Sequence, residues 1–195
     1  RNPTIAFGAV LLGALIVVAV FAPYIAYADP FKIAPVNRLR PPSERWWFGT
    51  DQFGRDIFSR TVYGARVSLL IGFTTALISG TIGTFLGIIA GYFGGRTDSV
   101  VMFLVTIKLS IPTILVALAI VQLVGGSLQT VILVLGFLLW HQFAVVTRAT
   151  TMQIRGMDFI TAAETVGCST PRILATEVLP NVLNQVIVVL TLTMA

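Results

Sequence analysis

The stretch Val67–Gly95, VSLLIGFTTALISGTIGTFLGIIAGYFGG, runs for 29 residues without a charge. A hydrocarbon core about 30 Å thick takes about 20 helical residues at 1.5 Å each, so this run can span a bilayer with turns to spare. Within it Gly83, Gly87, Gly91 and Gly95 recur every four residues and line one helical face. Small residues at that spacing let a neighbouring backbone approach closely, where dispersion replaces the hydrophobic drive that lipid cannot supply. The rest of the chain has the same character: of 195 residues 56% are apolar and only 11% charged, and the mean hydropathy is +0.91. A soluble domain carries roughly 25% charged residues. A soluble enzyme is therefore excluded, and an all-α, polytopic membrane helical bundle is expected.

Four further runs fit that class. Asn2–Ala28 is uncharged and well beyond the 7 to 15 apolar residues of a cleaved signal peptide, so a true span is the preferred reading. Ser99–Leu123 makes another span, which Pro112 should kink by removing an amide. Lys108 within it either snorkels to the nearer interface, the preferred reading, or faces an aqueous cavity. Leu128–Thr147 follows a Gly125–Gly126–Ser127 turn, with His141 and Gln142 read as interfacial polar residues and not as ligands. Val178–Ala195 is just long enough to span, and a continuation beyond it, as well as residues before Arg1, is expected. Between the first two spans, residues 29–66 form an aqueous or interfacial segment. There Ile57, Phe58, Thr61, Val62 and Ala65 share one helical face, which predicts a short helix lying on the membrane surface or an ordinary packed loop.

Other classes of function are absent from the composition. The lone Cys168 and the lone His141 leave no multi-cysteine or histidine metal site, and Cys168 reads as a small buried residue. The 13 Lys and Arg against 8 Asp and Glu give +5, spread over loops without a dense basic run, so no nucleic acid is expected. Counting basic residues on the two sides gives near parity, and charge alone leaves the orientation open. Thr74, Thr75, Ser79, Thr106, Ser110, Thr113 and Gln122 are polar within spans, but such residues commonly bond to helix backbone, and no substrate path is readable. No GxxxxGK phosphate loop occurs, so the chain carries no visible means of binding ATP.

The stretch Asp158–Pro180, DFITAAETVGCSTPRILATEVLP, reads as helix, glycine stop and helix. Asp158 is a plausible N-cap, Gly167 sits where a left-handed C-cap residue belongs, and Thr170 can cap a second helix with Pro171 at its first position. So short a helix, with Ala162 and Ala163 in its middle, buries little of its own and suits docking into a groove on another protein.

Two alanines followed by Gly167 and then Leu179 and Pro180 resemble the EAA loop of bacterial ABC-transporter permeases, with Thr161 where the family commonly has Glu. Glu164, three residues on, is a candidate for part of that role. Phe48-Gly49-Thr50-Asp51, Gly54-Arg55-Asp56, Ser59-Arg60 and Tyr63 to Leu69 resemble the segment after the first helix in permeases of the DppC/OppC type, from dipeptide and oligopeptide importers. Gly91 to Gly95, Asp98, Pro112, Trp140, Ala144, Arg148, Arg155, Asp158 and Phe159 extend the resemblance over the whole chain.

That resemblance implies a MetI-like ABC permease fold, with five of six spans present, in a bacterial inner or plasma membrane with the N-terminus in the cytoplasm. It implies a permease subunit, not an enzyme in its own right, that forms half of a peptide path. Nickel or another small solute is the alternative cargo, and an ion-gradient-driven secondary transporter the more distant reading. The implied partners are a DppB/OppB-like second permease, two ATP-binding subunits of the DppD/DppF or OppD/OppF kind, separate or fused, and an extracytoplasmic peptide-binding protein. ATP and Mg would be bound by those partner subunits, with no cofactor or metal in this chain. Asp158, Thr161, Ala162, Ala163, Glu164, Gly167, Leu179 and Pro180, within the cytoplasmic loop 148–177 and just beyond it, are the implied contacts with the ATP-binding subunits.

Overall fold

A computed structural model describes residues 3–194, and among them every regular element is helical apart from one isolated bridge between Thr50 and Asp56. The chain divides into two compact units, Arg1–Leu70 and Ile71–Ala195.

In the first unit, α1 (Pro3–Val20) and the single turn α2 (Ala22–Ile25) lead into an irregular segment that ends at α3 (Ile57–Phe93). The Asp51 carboxylate organises this segment: it accepts the amides of Phe53 at 2.8 Å and Arg55 at 3.0 Å and the Arg55 guanidinium at 2.9 Å, and it also pairs with Arg60. Burial raises the Asp51 pKa, but the amides of Arg55 and Phe53 and the Arg55 charge outweigh it and hold the group at about 2. Asp56 is buried and caps α3, accepting the Ser59 amide at 2.7 Å and the Tyr27 hydroxyl at 2.8 Å. Phe58 is packed by Tyr27, Trp47 and Phe48 with ring centroids 4.9 to 5.8 Å away. Gly54 is required: at φ +74° its backbone lies so close to Ala34 that a Cβ would sit 1.8 Å from the Ala34 carbonyl oxygen. The Phe48–Arg60 motif is thus a hydrogen-bonded knot that starts a helix.

The short surface helix expected at 57–65 and the span expected at 67–95 are one helix. α3 runs 37 residues, about 55 Å at 1.5 Å each, so its polar first turns extend beyond any 30 Å core. No proline falls between Arg55 and Gly94, so every amide is available to the helix and it runs on through its glycines.

The second unit holds the rest of α3, then α4 (Gly95–Ser110), α5 (Thr113–Val124), α6 (Leu128–Leu138), α7 (Trp140–Arg155), α8 (Asp158–Thr165), α9 (Thr170–Ile173) and α10 (Leu179–Met194). The five expected spans each fall on helix. By length and apolarity three qualify among the described residues, Ile57–Phe93, Leu128–Arg155 and Thr170–Met194, and the α4–α5 pair makes a fourth if its 80° bend counts as one span. The bend lies at Pro112, whose missing amide the sequence had marked. In α1 the apolar helix recognised is the shorter Val10–Val20. The expected ends of the first span at Asn2 and the last at Ala195 lie outside the described residues.

The glycine stripe works as a seam against α7. A Cβ on Gly83 would meet the Trp140 carbonyl oxygen at 2.1 Å, one on Gly87 the Thr147 hydroxyl at 1.9 Å and the Ala144 carbonyl at 2.6 Å, and one on Gly91 the Arg148 carbonyl at 2.6 Å. Gly95 leaves the stripe, because φ +53° there begins α4 and nothing lies within 4 Å.

The Lys108 ammonium donates to the Thr113 hydroxyl at 2.7 Å across the Pro112 bend, where the break in the helix leaves that side chain within reach. His141 is buried, its Nδ1 3.1 Å from the Leu138 carbonyl, in the middle of the 28-residue helical run that α6 and α7 make together. Ser79, Thr106 and Ser110 donate to carbonyls of their own helix.

Candidate functional site

The stretch 148–180 begins inside a helix. α7 extends through Arg155, and Arg148 makes a bidentate ion pair with Asp98 of α4, one arm at 2.6 Å. The chain then turns at Gly156, whose amide donates to the Gln153 carbonyl at 3.2 Å, followed by the Met157 amide to Ile154 at 2.9 Å.

The N-cap of α8 is Met157, with φ −87° and ψ 148°, and Asp158 is the first helical residue. Asp158 therefore acts through its charge at the positive end of the helix and not as a capping acceptor. Ser169 likewise replaces Thr170 as the cap before α9, with Thr170 and Pro171 in its first turn. In both places the cap lies one residue earlier than the side-chain pattern predicts, because the cap is set by extended backbone geometry.

Gly167 takes φ +85°. Its amide donates to the Glu164 carbonyl at 3.0 Å, and the Cys168 amide donates to the Ala163 carbonyl at 3.0 Å. Those two bonds are a Schellman closure, which satisfies the last carbonyls of α8 and needs a left-handed residue between them. Cys168 packs with Ala163 on the core, completing the apolar contact that accompanies such caps.

The two faces of α8 differ. Inward, Ile160 is 1% exposed and Ala163 is half-buried, against a cluster that includes Ile88 and Tyr92 of α3, Ile154 of α7, Ile173 of α9 and Val178 and Val182. Outward, Asp158, Phe159, Thr161, Ala162, Thr165 and Val166 are exposed, with Val166 at 83%. Phe159, Ala162 and Val166 fall at i, i+3 and i+7, one apolar stripe on a helix that is otherwise small.

Glu164 occupies neither face fully. Its Oε1 accepts the Tyr92 hydroxyl at 2.9 Å, and the Arg155 guanidinium lies 5.7 Å from the Tyr92 ring centre. Leu179 and Pro180 stand apart from α8. Leu179 lines an apolar groove of about 620 Å³ between α3 and the last helix, and no α8 residue contributes to that lining. Just before Pro180 the helix widens to a π turn over Leu174–Val178, with the Leu179 amide reaching back to the Leu174 carbonyl. A wide turn there relieves the ring clash and lost amide that a proline brings. Of the predicted residues the structure thus unites Asp158 to Gly167 on one short helix. It adds Ile160 and Val166, and Tyr92, which the sequence had marked only as part of the Gly91 to Gly95 resemblance and not as a partner of α8.

A family model, described as the binding-protein-dependent transport system inner membrane component, matches residues 83–195. The dipeptide transport system permease protein DppC of Alkalihalophilus pseudofirmus is 39% identical over 98% of this chain and 63% of its own length. The oligopeptide transport system permease protein OppC of Bacillus subtilis is 34% identical over 95% of this chain and 61% of its own length. The DppC protein of Haemophilus influenzae is 32% identical over 98% and 67%. The chain spans 60 to 63% of the length of the first three such relatives.

Proposed function

This chain belongs to the family of binding-protein-dependent transport system inner membrane components, and from that premise we propose that it is a permease subunit of an ATP-driven importer of dipeptides or oligopeptides. The observation that carries the reading is α8: a rigidly capped helix, anchored inward by Ile160, that offers Phe159, Ala162 and Val166 outward. An exposed apolar stripe on a polar end of a membrane protein suits a cleft on another subunit.

In this reading α8 seats in an ATP-binding subunit, with Asp158, Thr161 and Ala162 at the contact and Ala163, Glu164 and Gly167 holding the helix in place. ATP and Mg are held by two such partner subunits. Their closure displaces α8, and the seam of Gly83, Gly87 and Gly91 against α7 carries the displacement into the spans as a rigid-body motion. Differential contacts in the two states supply the coupling. Residues 148–177 then face the cytoplasm with the N-terminus, and 29–66 faces outward, where an extracytoplasmic binding protein delivers cargo. A second permease of the same type completes the path. Peptide is favoured over nickel because the relatives are named for dipeptide and oligopeptide transport.

The test is ATP hydrolysis by the complex reconstituted in lipid with its partner permease, ATP-binding subunits and binding protein, with and without peptide. Stimulation by peptide is expected. Hydrolysis that no peptide changes would overturn the cargo, and failure of the chain to assemble with ATP-binding subunits would overturn the permease reading.

A further inference from the structure

The inward face of α8 has one fully buried apolar anchor, Ile160, and one half-buried one, Ala163. Apolar contact is non-directional, so two such anchors on an eight-residue helix hold it against the core without by themselves setting its rotation about its axis. Among the described residues a single hydrogen bond between side chains crosses from α8 to another element: Tyr92 Oη donates to Glu164 Oε1 at 2.9 Å, joining α8 to the last turn of α3, 72 residues earlier. Tyr92 is 6% exposed, and its ring is held in the core with Ile88 and against Phe93, 5.5 Å away. The phenol is therefore a fixed post, and the exposed Glu164 is the mobile end of the bond.

We propose that Tyr92 is a positioning residue that sets the rotational register of α8 through Glu164 and ties its movement to α3. This deepens the permease reading and rests on it. The bond fits the helix geometry: Glu164 follows the buried Ile160 by four residues and so lies on the side of α8 toward α3, away from the stripe of Phe159, Ala162 and Val166. α3 is also the helix that carries the glycine seam, so a roll of α8 reaches α3 at Tyr92 and α7 through the preceding residue, Gly91, which lies against Arg148 and Thr151. Arg155 over the ring keeps a positive charge beside the carboxylate's post.

The test uses the reconstituted complex, measuring peptide uptake and ATP hydrolysis together for Tyr92→Phe, Glu164→Ala, Glu164→Gln and the Tyr92→Phe/Glu164→Ala pair. Loss of one charge-assisted hydrogen bond should lower uptake per ATP about fivefold in Tyr92→Phe and in Glu164→Ala. The double variant should be no worse than either, since both remove the same bond. Glu164→Gln keeps an acceptor oxygen and should retain most of the coupling. Independent, multiplying defects, or a Glu164→Gln as poor as Glu164→Ala, would overturn the proposal. A second readout stands whether or not peptide is the cargo. Spin labels on Val166→Cys and Met152→Cys, in a Cys168→Ala background, should give a narrow distance distribution that broadens in Tyr92→Phe. Identical distributions would refute the register role, whereas a wild-type complex without uptake would refute the importer reading instead.

Discussion

Replacing Gly87 by Ala puts the seam between α3 and α7 to its sharpest test. The added methyl would lie 1.9 Å from Thr147 Oγ1, 2.6 Å from the Ala144 carbonyl oxygen and 3.0 Å from the Arg148 nitrogen. The Thr147 hydroxyl cannot swing away freely, because it is buried and already donates to the Phe143 carbonyl at 2.7 Å. The Ala144 oxygen is backbone, so reaching an ordinary 3.4 Å contact there requires the helices to part by about 0.8 Å, and clearing an unmoved Thr147 hydroxyl by about 1.5 Å. Overpacking of this kind costs about 1 to 3 kcal/mol, and parting the helices weakens dispersion along the neighbouring turns at Gly83 and Gly91. For a chain of this size that corresponds to a fall in melting temperature of about 3 to 10 °C. The assay is thermal unfolding in detergent, with Gly64→Ala as control: Gly64 is in the same helix, has nothing within 4 Å of its Cβ position, and should be neutral or slightly stabilising. Gly83→Ala combined with Gly87→Ala should cost less than the sum, since the first methyl has already parted the helices. Equal melting temperatures for Gly87→Ala, Gly64→Ala and the parent would refute the close-approach argument.

Gly167→Val should leave the chain inserted but cost about 1 to 2 kcal/mol locally, because a β-branched residue resists φ +85°, and peptide-stimulated hydrolysis should fall while assembly persists. Gly54→Ala should disorder the Phe48–Arg60 knot, since no movement of side chains relieves a Cβ 1.8 Å from the Ala34 carbonyl; loss of the Trp46 and Trp47 fluorescence signature reports it. Asp51, held at about 2 against an ordinary 3.8, contributes stability that is complete above pH 5 and lost as pH falls through about 2. Discounted for the exposed Arg60 partner, the contribution is about 1 to 2 kcal/mol. Asp51→Asn should remove it at neutral pH and flatten the acid dependence of the fluorescence transition.

What the sequence made legible is what depends on local composition. The uncharged run at 67–95 located the spanning part of α3, Pro112 located the bend, and Gly167 located the left-handed stop, because each is decided within a few residues. The four-residue glycine repeat marked a close approach without naming the partner, since nothing local says that α7 and not another helix lies opposite. At 57–65 the amphipathic pattern marked a helix, with a packed loop as its alternative, but not its continuity with the span that follows, because its polar face resembles a surface segment. Tyr92 stood within the Gly91 to Gly95 motif, but its pairing was not legible, as its partner Glu164 lies 72 residues away and only the fold brings them together. The caps at Met157 and Ser169 were missed for the opposite reason: Asp158 and Thr170 carry the usual capping side chains, and backbone geometry chose their predecessors. The Lys108–Thr113 bond was not legible because it depends on the 80° bend, whose size the presence of a proline does not give.

Cross-linking from Ala162 tests the account at its centre. In a Cys168→Ala background, Ala162→Cys carries a short thiol-reactive cross-linker on the exposed face of α8, and the reconstituted complex is analysed with and without ATP. The expected product is an adduct with an ATP-binding subunit whose yield changes with nucleotide, while the same cysteine is shielded from a membrane-impermeant reagent added on the side where peptide is delivered. Adducts confined to lipid or to the second permease, or labelling of Ala162→Cys from the peptide side, would contradict the placement of α8 as the coupling element.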